Sequence, residues 1–210
     1  MAKATVGVSD HGGWAVLVAV SGGALVDRRR VTLVGEGLPA IPHHTEAQLL
    51  PLDEGMALVE RVRVSAEKCS LAALKELAGD VKISTIALRV CPELPATIEE
   101  RITDYWAQNN ADWIMYRQAL AKAARELGWR IAWFDAKKVL SAPGVDKVVR
   151  ETGKKLGPPW NADHRLAMAA AITAVAAPAV GHRVHRRSRR TAASGRTPAR
   201  SAPRSRARRS

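Results

Sequence analysis

Two short apolar runs open the chain. Residues 4 to 9 are valine-rich, and Trp14-Ala15-Val16-Leu17-Val18-Ala19-Val20 is apolar throughout, the pattern of a strand covered on both faces. Ser9-Asp10-His11-Gly12-Gly13 between them and Ser21-Gly22-Gly23 after them read as compact turns. The next run, 24 to 34, is broken by Arg28-Arg29-Arg30, which predicts an edge or partly exposed strand. The three runs together predict an antiparallel meander.

A Gly- and Pro-rich loop spans 35 to 51. Asp53-Glu54 then open a helical pattern in which Met56, Val59, Val62, Leu71, Leu74 and Leu77 share one side, with Gly79 as its stop. Residues 82 to 90 read as a fourth strand, ended by Cys91-Pro92-Glu93-Leu94-Pro95. Thr97 with Glu100 is a capping-box pattern for a helix running toward Trp106, and a further helix is predicted from about Ala111 to Leu127. Residues 129 to 134 predict a fifth strand, and helical patterns follow at 136–140, 145–156 and 162–175. The last is alanine-rich and suited to close packing on a sheet. The order β-β-β-α-β-α-α-β-α-α predicts an α/β domain, a five-stranded mixed sheet with three antiparallel strands first and helices on both faces.

Composition changes this picture at one end. The chain has 210 residues and a formal net charge of +13. Of its 33 basic side chains, 11 arginines fall within 181–210, leaving 22 basic against all 20 acidic side chains in 1–180, a balance of +2. The expected organisation is one domain over 1–180 and a disordered Arg-rich tail over 181–210, because that segment has no aromatic and few apolar residues to offset the entropy of ordering. Arg186, Arg187, Arg189 and Arg190 are its densest basic run, suited to the phosphates of DNA or RNA and equally to an acidic protein surface; a non-functional extension is the alternative. No apolar stretch approaches membrane-spanning length and the start lacks a long apolar signal segment, so a cytoplasmic protein without a membrane partner is expected. Cys69 and Cys91 lack C-x-x-C spacing and read as ordinary thiols.

The strand order, with an aspartate in the first turn and another at the start of the last long helix, resembles the ribonuclease H-like superfamily. Within it the chain is most similar to the bacterial Holliday-junction resolvases of the RuvC type, over roughly residues 4 to 176. Val6-Gly7-Val8-Ser9-Asp10-His11-Gly12-Gly13 is similar to that family's G-I-D-P-G motif, and Asn161-Ala162-Asp163-His164-Arg165-Leu166-Ala167-Met168-Ala169 to its A-x-D-A-L-A-x-A segment. Asp135-Ala136-Lys137-Lys138 resembles its lysine-bearing turn after the fifth strand. The resemblance implies a divalent-metal-dependent nuclease using Mg²⁺ or Mn²⁺, with Asp10 and Asp163 as metal ligands and catalytic carboxylates, His164 as helper, and Lys137 and Lys138 on the nucleic acid. Two metals hold the attacking and leaving oxygens of a phosphodiester only where several carboxylates converge. At the place of the family's fourth-strand glutamate stands Arg89, and Leu166 stands where a second late carboxylate is usual. Glu93 is the nearest substitute ligand, with Glu99 and Glu100 as further choices.

His11 and His164 each follow one of the two aspartates, and His43-His44 lie in the 35–51 loop. Folded over the sheet end, that loop would join them to Asp10 and Asp163 in a mixed carboxylate–imidazole site; loop histidines and turn aspartates are also ordinary surface and capping groups. Tyr105, Trp106, Trp113, Tyr116 and Trp160 suit either base stacking or a helical core. Neither a P-loop nor G-x-G-x-x-G occurs, so no nucleotide cofactor is expected. A small-molecule phosphate binder of the actin-like type would need a second lobe that this length does not supply.

Two readings stay open: a nucleic-acid-interacting protein acting as a divergent nuclease or resolvase, and a non-catalytic binding or scaffold protein with a degraded metal site. A homodimer is compatible with either. Carboxylates converging near Asp10 would mark the first, and the Arg89 guanidinium filling that point the second.

Overall fold

The computed structural model describes residues 3–176, and its elements follow the predicted order. The segment 181–210, with Arg186, Arg187, Arg189 and Arg190, lies outside the described residues. Strands β1 (Ala4–Asp10), β2 (Trp14–Ser21) and β3 (Ala24–Thr32) form the meander. Its second turn is tight because Gly22 and Gly23 take φ of 58° and 79°, a region closed to most side chains. Then come α1 (Leu52–Asp80), β4 (Ile83–Arg89), α2 (Ile98–Thr103), α3 (Tyr105–Glu126), β5 (Arg130–Phe134), α4 (Ala136–Leu140), α5 (Val145–Leu156) and α6 (Ala162–Ala176). The expected capping box forms between Thr97 and Glu100. The helix it starts is shorter than predicted, because the Asp104 carboxylate accepts the Ala107 N–H and opens α3 at Tyr105, ahead of the expected start near Ala111.

The sheet order is β3-β2-β1-β4-β5, with β2 antiparallel to both neighbours and β4 parallel to β1 and β5. This is the expected five-stranded mixed sheet, with three antiparallel strands first and helices on both faces. One face packs Val6, Val8, Leu17, Ile86 and Leu88 against Leu74 and Leu77 of α1 and Tyr116 and Leu120 of α3. The other packs Val16, Val18 and Ala87 against α6, with Val139 of α4 and Val149 of α5 alongside. Edge strand β3 explains the arginine run: Arg29 reaches Asp80 and Glu76 of α1, whereas Arg30 lies over the Trp14 ring and Arg28 over that of Trp160.

The alanine-rich helix meets the central strand main chain to main chain. A Cβ on Gly7 would lie 1.8 Å from the Ala167 carbonyl oxygen and 2.7 Å from the Ala171 nitrogen, so only glycine admits α6 at this distance. Two consequences reach the site: α6 is fixed in height along β1, and Asp163 in its first turn is fixed opposite the end of that strand.

Candidate functional site

Strand alternation sorts the motif residues of β1 between the two faces. Val6 and Val8 belong to the α1/α3 core, and Asp10, next in that phase, meets Arg117 of α3. Ser9 and His11 take the opposite phase and meet Asp163 of α6. The two aspartates that the resemblance joins as metal ligands therefore line one pocket from opposite sides of the strand end, each with its own partner.

Asp10 is held in a buried ion pair. Arg117 donates from Nη2 to Oδ2 at 2.7 Å and from Nε to Oδ2 and Oδ1 at 3.1 and 3.2 Å. Its Nη1 donates to the Val90 carbonyl at 2.9 Å, which ties α3 to the end of β4. Burial opposes the Arg117 charge, but the hydrogen bonds to Asp10 and the charge of Asp10 more than offset it and hold the guanidinium above its ordinary range. Both side chains are almost fully enclosed, at 5% and 0% exposure, so the clamp is shielded from screening by solvent.

Asp163 is only partly exposed, at the pocket wall. Ser9 Oγ donates to its Oδ1 at 2.9 Å, and His11 Nε2 lies 2.7 Å from the same oxygen. Partial burial pushes its acidity down, but the bonds to His11 and Ser9 outweigh this and leave the carboxyl below its usual range. His11 also stacks on Trp14, with ring centroids 4.0 Å apart and planes 8° apart. Serine, histidine and aspartate are thus together, yet not wired for nucleophilic catalysis: the hydroxyl proton is spent on the carboxylate rather than on the imidazole that would activate it.

The cavity at this strand end, about 340 Å³, is lined by Ser9, Asp10, His11, Arg89, Trp113 and Arg117 together with Leu140, Ala162, Asp163 and Leu166. Arg89 closes β4 in the phase of Ala87, on the α6 side. Among the described residues it has no hydrogen-bond or ion-pair partner, and its Nε is buried. The point near Asp10 is indeed filled by a guanidinium, but it is that of Arg117, with Arg89 beside it.

The remaining expected residues are elsewhere. Glu93, Glu99 and Glu100 are exposed and do not line the cavity; Glu100 is occupied with the Thr97 cap. His164 is buried in the first turn of α6 and does not line the cavity; its Nδ1 is 2.7 Å from Asn161 Oδ1 and its ring is tilted against Trp160. Burial and then the charge of Arg28 lower its pKa. Asn161, whose side chain accepts the Asp163 and His164 N–H groups, is the helix cap, so Asp163 is free for the pocket. His43 is fully buried and paired through Nδ1 to Asp112 at 2.7 Å, while His44 contributes its backbone N–H to the same carboxylate. The loop histidines therefore pin the 35–51 loop to α3 and do not join Asp10. Lys137 and Lys138 are exposed on α4, their N–H groups capped by Asp135, and neither lines the cavity.

These donors do not fit a divalent metal. Both oxygens of Asp10 already accept from Arg117, a second guanidinium lines the same cavity, and a cation placed there would meet two positive charges. Among the described residues no group of three or more His, Cys, Asp and Glu converges.

No protein-family model matches the chain, and comparison with curated proteins finds no match. Among solved structures it is similar to RuvC of Thermus thermophilus in complex with a Holliday junction substrate, at 14% identity, covering 81% of this chain and 91% of that one with a TM-score of 0.47. It is also similar to a second structure of the same protein, at 14% identity, covering 81% and 92% with a TM-score of 0.44. At that distance the likeness assigns no residue its role.

Proposed function

We propose that this chain is a non-catalytic nucleic-acid-binding protein that keeps a ribonuclease H-like sheet and has replaced a metal centre with an arginine of its own. The observation that carries this reading is the Arg117–Asp10 clamp, which delivers a permanent positive charge to the carboxylate that the resemblance gives to a metal. The basic balance of the chain, +13 overall, supports nucleic acid as partner through counterion release.

Calorimetric titration of the full chain with Mg²⁺ and Mn²⁺, beside incubation with linear and branched DNA and RNA, tests this. The expected result is strand binding with neither stoichiometric metal uptake nor cleavage. Stoichiometric Mn²⁺ binding that is lost in both Asp10→Asn and Asp163→Asn would overturn it and restore the nuclease reading.

A further inference from the structure

We infer that Arg89 is the receptor for a phosphate group, seated in the cavity at the ends of β1 and β4. This rests on the proposed nucleic-acid binding only for the source of the phosphate. The chemistry stands on the cavity itself.

A guanidinium is a fixed fork of five N–H donors and is never deprotonated in a folded protein, so its donors must be satisfied by acceptors or by water. Arg89 has neither hydrogen bond nor ion pair among the described residues, and its Nε is out of reach of solvent. The carboxylates that share the cavity are paired with other groups. Asp10 takes three contacts from Arg117, and Asp163 Oδ1 takes Ser9 and His11. Asp163 Oδ2 has no hydrogen bond among the described residues, yet it makes neither a hydrogen bond nor an ion pair with Arg89, and the cavity that both line holds about 340 Å³. The partner that suits this unpaired fork comes from outside, carries negative charge and offers more than one acceptor oxygen. A phosphate meets these demands, with two oxygens for the two Nη groups of the guanidinium.

The rest of the lining narrows the class further. Trp113, Leu140, Ala162 and Leu166 form apolar walls beside the charged groups, with Leu140 at the solvent-exposed side. Trp113, at 39% exposure, also presents ring surface to a base attached to the phosphate. A nucleotide unit combines both features. Two sources supply it: the backbone of a nucleic-acid strand, or a free nucleotide.

The test uses the full chain and Arg89→Gln, which removes the charge and the fork without burdening any partner. Fluorescence anisotropy reads binding of a labelled single strand of about 20 nucleotides, and calorimetry reads adenosine monophosphate and inorganic phosphate. The expected result is at least about a tenfold loss of affinity in Arg89→Gln, with the salt slope for the strand reduced by about 1 and the melting temperature unchanged. Loss confined to the strand assigns the phosphate to a nucleic-acid backbone. Loss shared by the monophosphate assigns it to a free nucleotide. Equal affinity of Arg89→Gln and the natural chain for all three probes overturns the inference and leaves strand binding intact. Conversely, Arg89-dependent binding of the monophosphate without any strand binding would leave the inference standing and overturn the proposed function.

Discussion

At the scale of single residues, Arg117 governs the site. A buried ion pair contributes little net stability against an apolar pair of the same size, because both ions leave water, but removing one partner strands the other. Arg117→Met is expected to lower stability by about 3–5 kcal/mol in urea melts, and adding Asp10→Leu to recover most of that loss. A double variant no more stable than the single one would show that packing of the Arg117 stem, not charge, is at stake. Asp10 and Asp163 stand out in the sequence because each sits at the end of an element, where polar residues are conspicuous. Arg117 does not, since its partner is 107 positions away and α3 is read as a simple amphipathic helix. A signal was present nonetheless: Arg117 and Asp112 interrupt the stripe of Ala111, Met115, Tyr116, Leu120 and Ala121, all buried. Charged groups inside an apolar stripe require internal partners.

At the scale of elements, strands and helices were legible almost throughout, because hydrophobic period, glycine turns and caps are local properties. The break between α2 and α3 was not, since Asp104 can continue a helix or cap one and only the surrounding packing decides. Nor was the role of the 35–51 loop, whose His43 looks like a ligand until Asp112 meets it in space. The tightest element contact, α6 on β1, yields a sharp expectation. Gly7→Ala places a methyl group within 1.8 Å of a carbonyl oxygen that belongs to the main chain and cannot swing aside. Overpacking of this kind is expected to cost about 3 kcal/mol or more and to lower the melting temperature by roughly 6–12 °C, measured by circular dichroism. A melting temperature within a degree or two of the natural chain would mean that α6 slides freely on the sheet.

At the scale of the whole molecule, most of the excess charge and the cavity belong to different stretches of the chain. The near-neutral 1–180 region contains the sheet and the cavity, and the arginines of 181–210 supply most of the excess charge. Replacing Arg186, Arg187, Arg189 and Arg190 with serine in the full chain is expected to flatten the log–log salt dependence of single-strand binding by roughly 3, while the Arg89→Gln ratio stays as it was. An unchanged slope would remove this segment from the interface. The junction of β1 and α6 sets a different limit, on descent rather than on binding. A Cβ on Gly7 would meet the backbone of α6, and Ala167, Ala169, Ala170 and Ala171 of that helix are fully buried, so enlargement at any of these five positions shifts Asp163 against Ser9 and His11. Homologous chains that inherit the geometry of this pocket are therefore expected to keep small residues at all five positions, however far they diverge elsewhere.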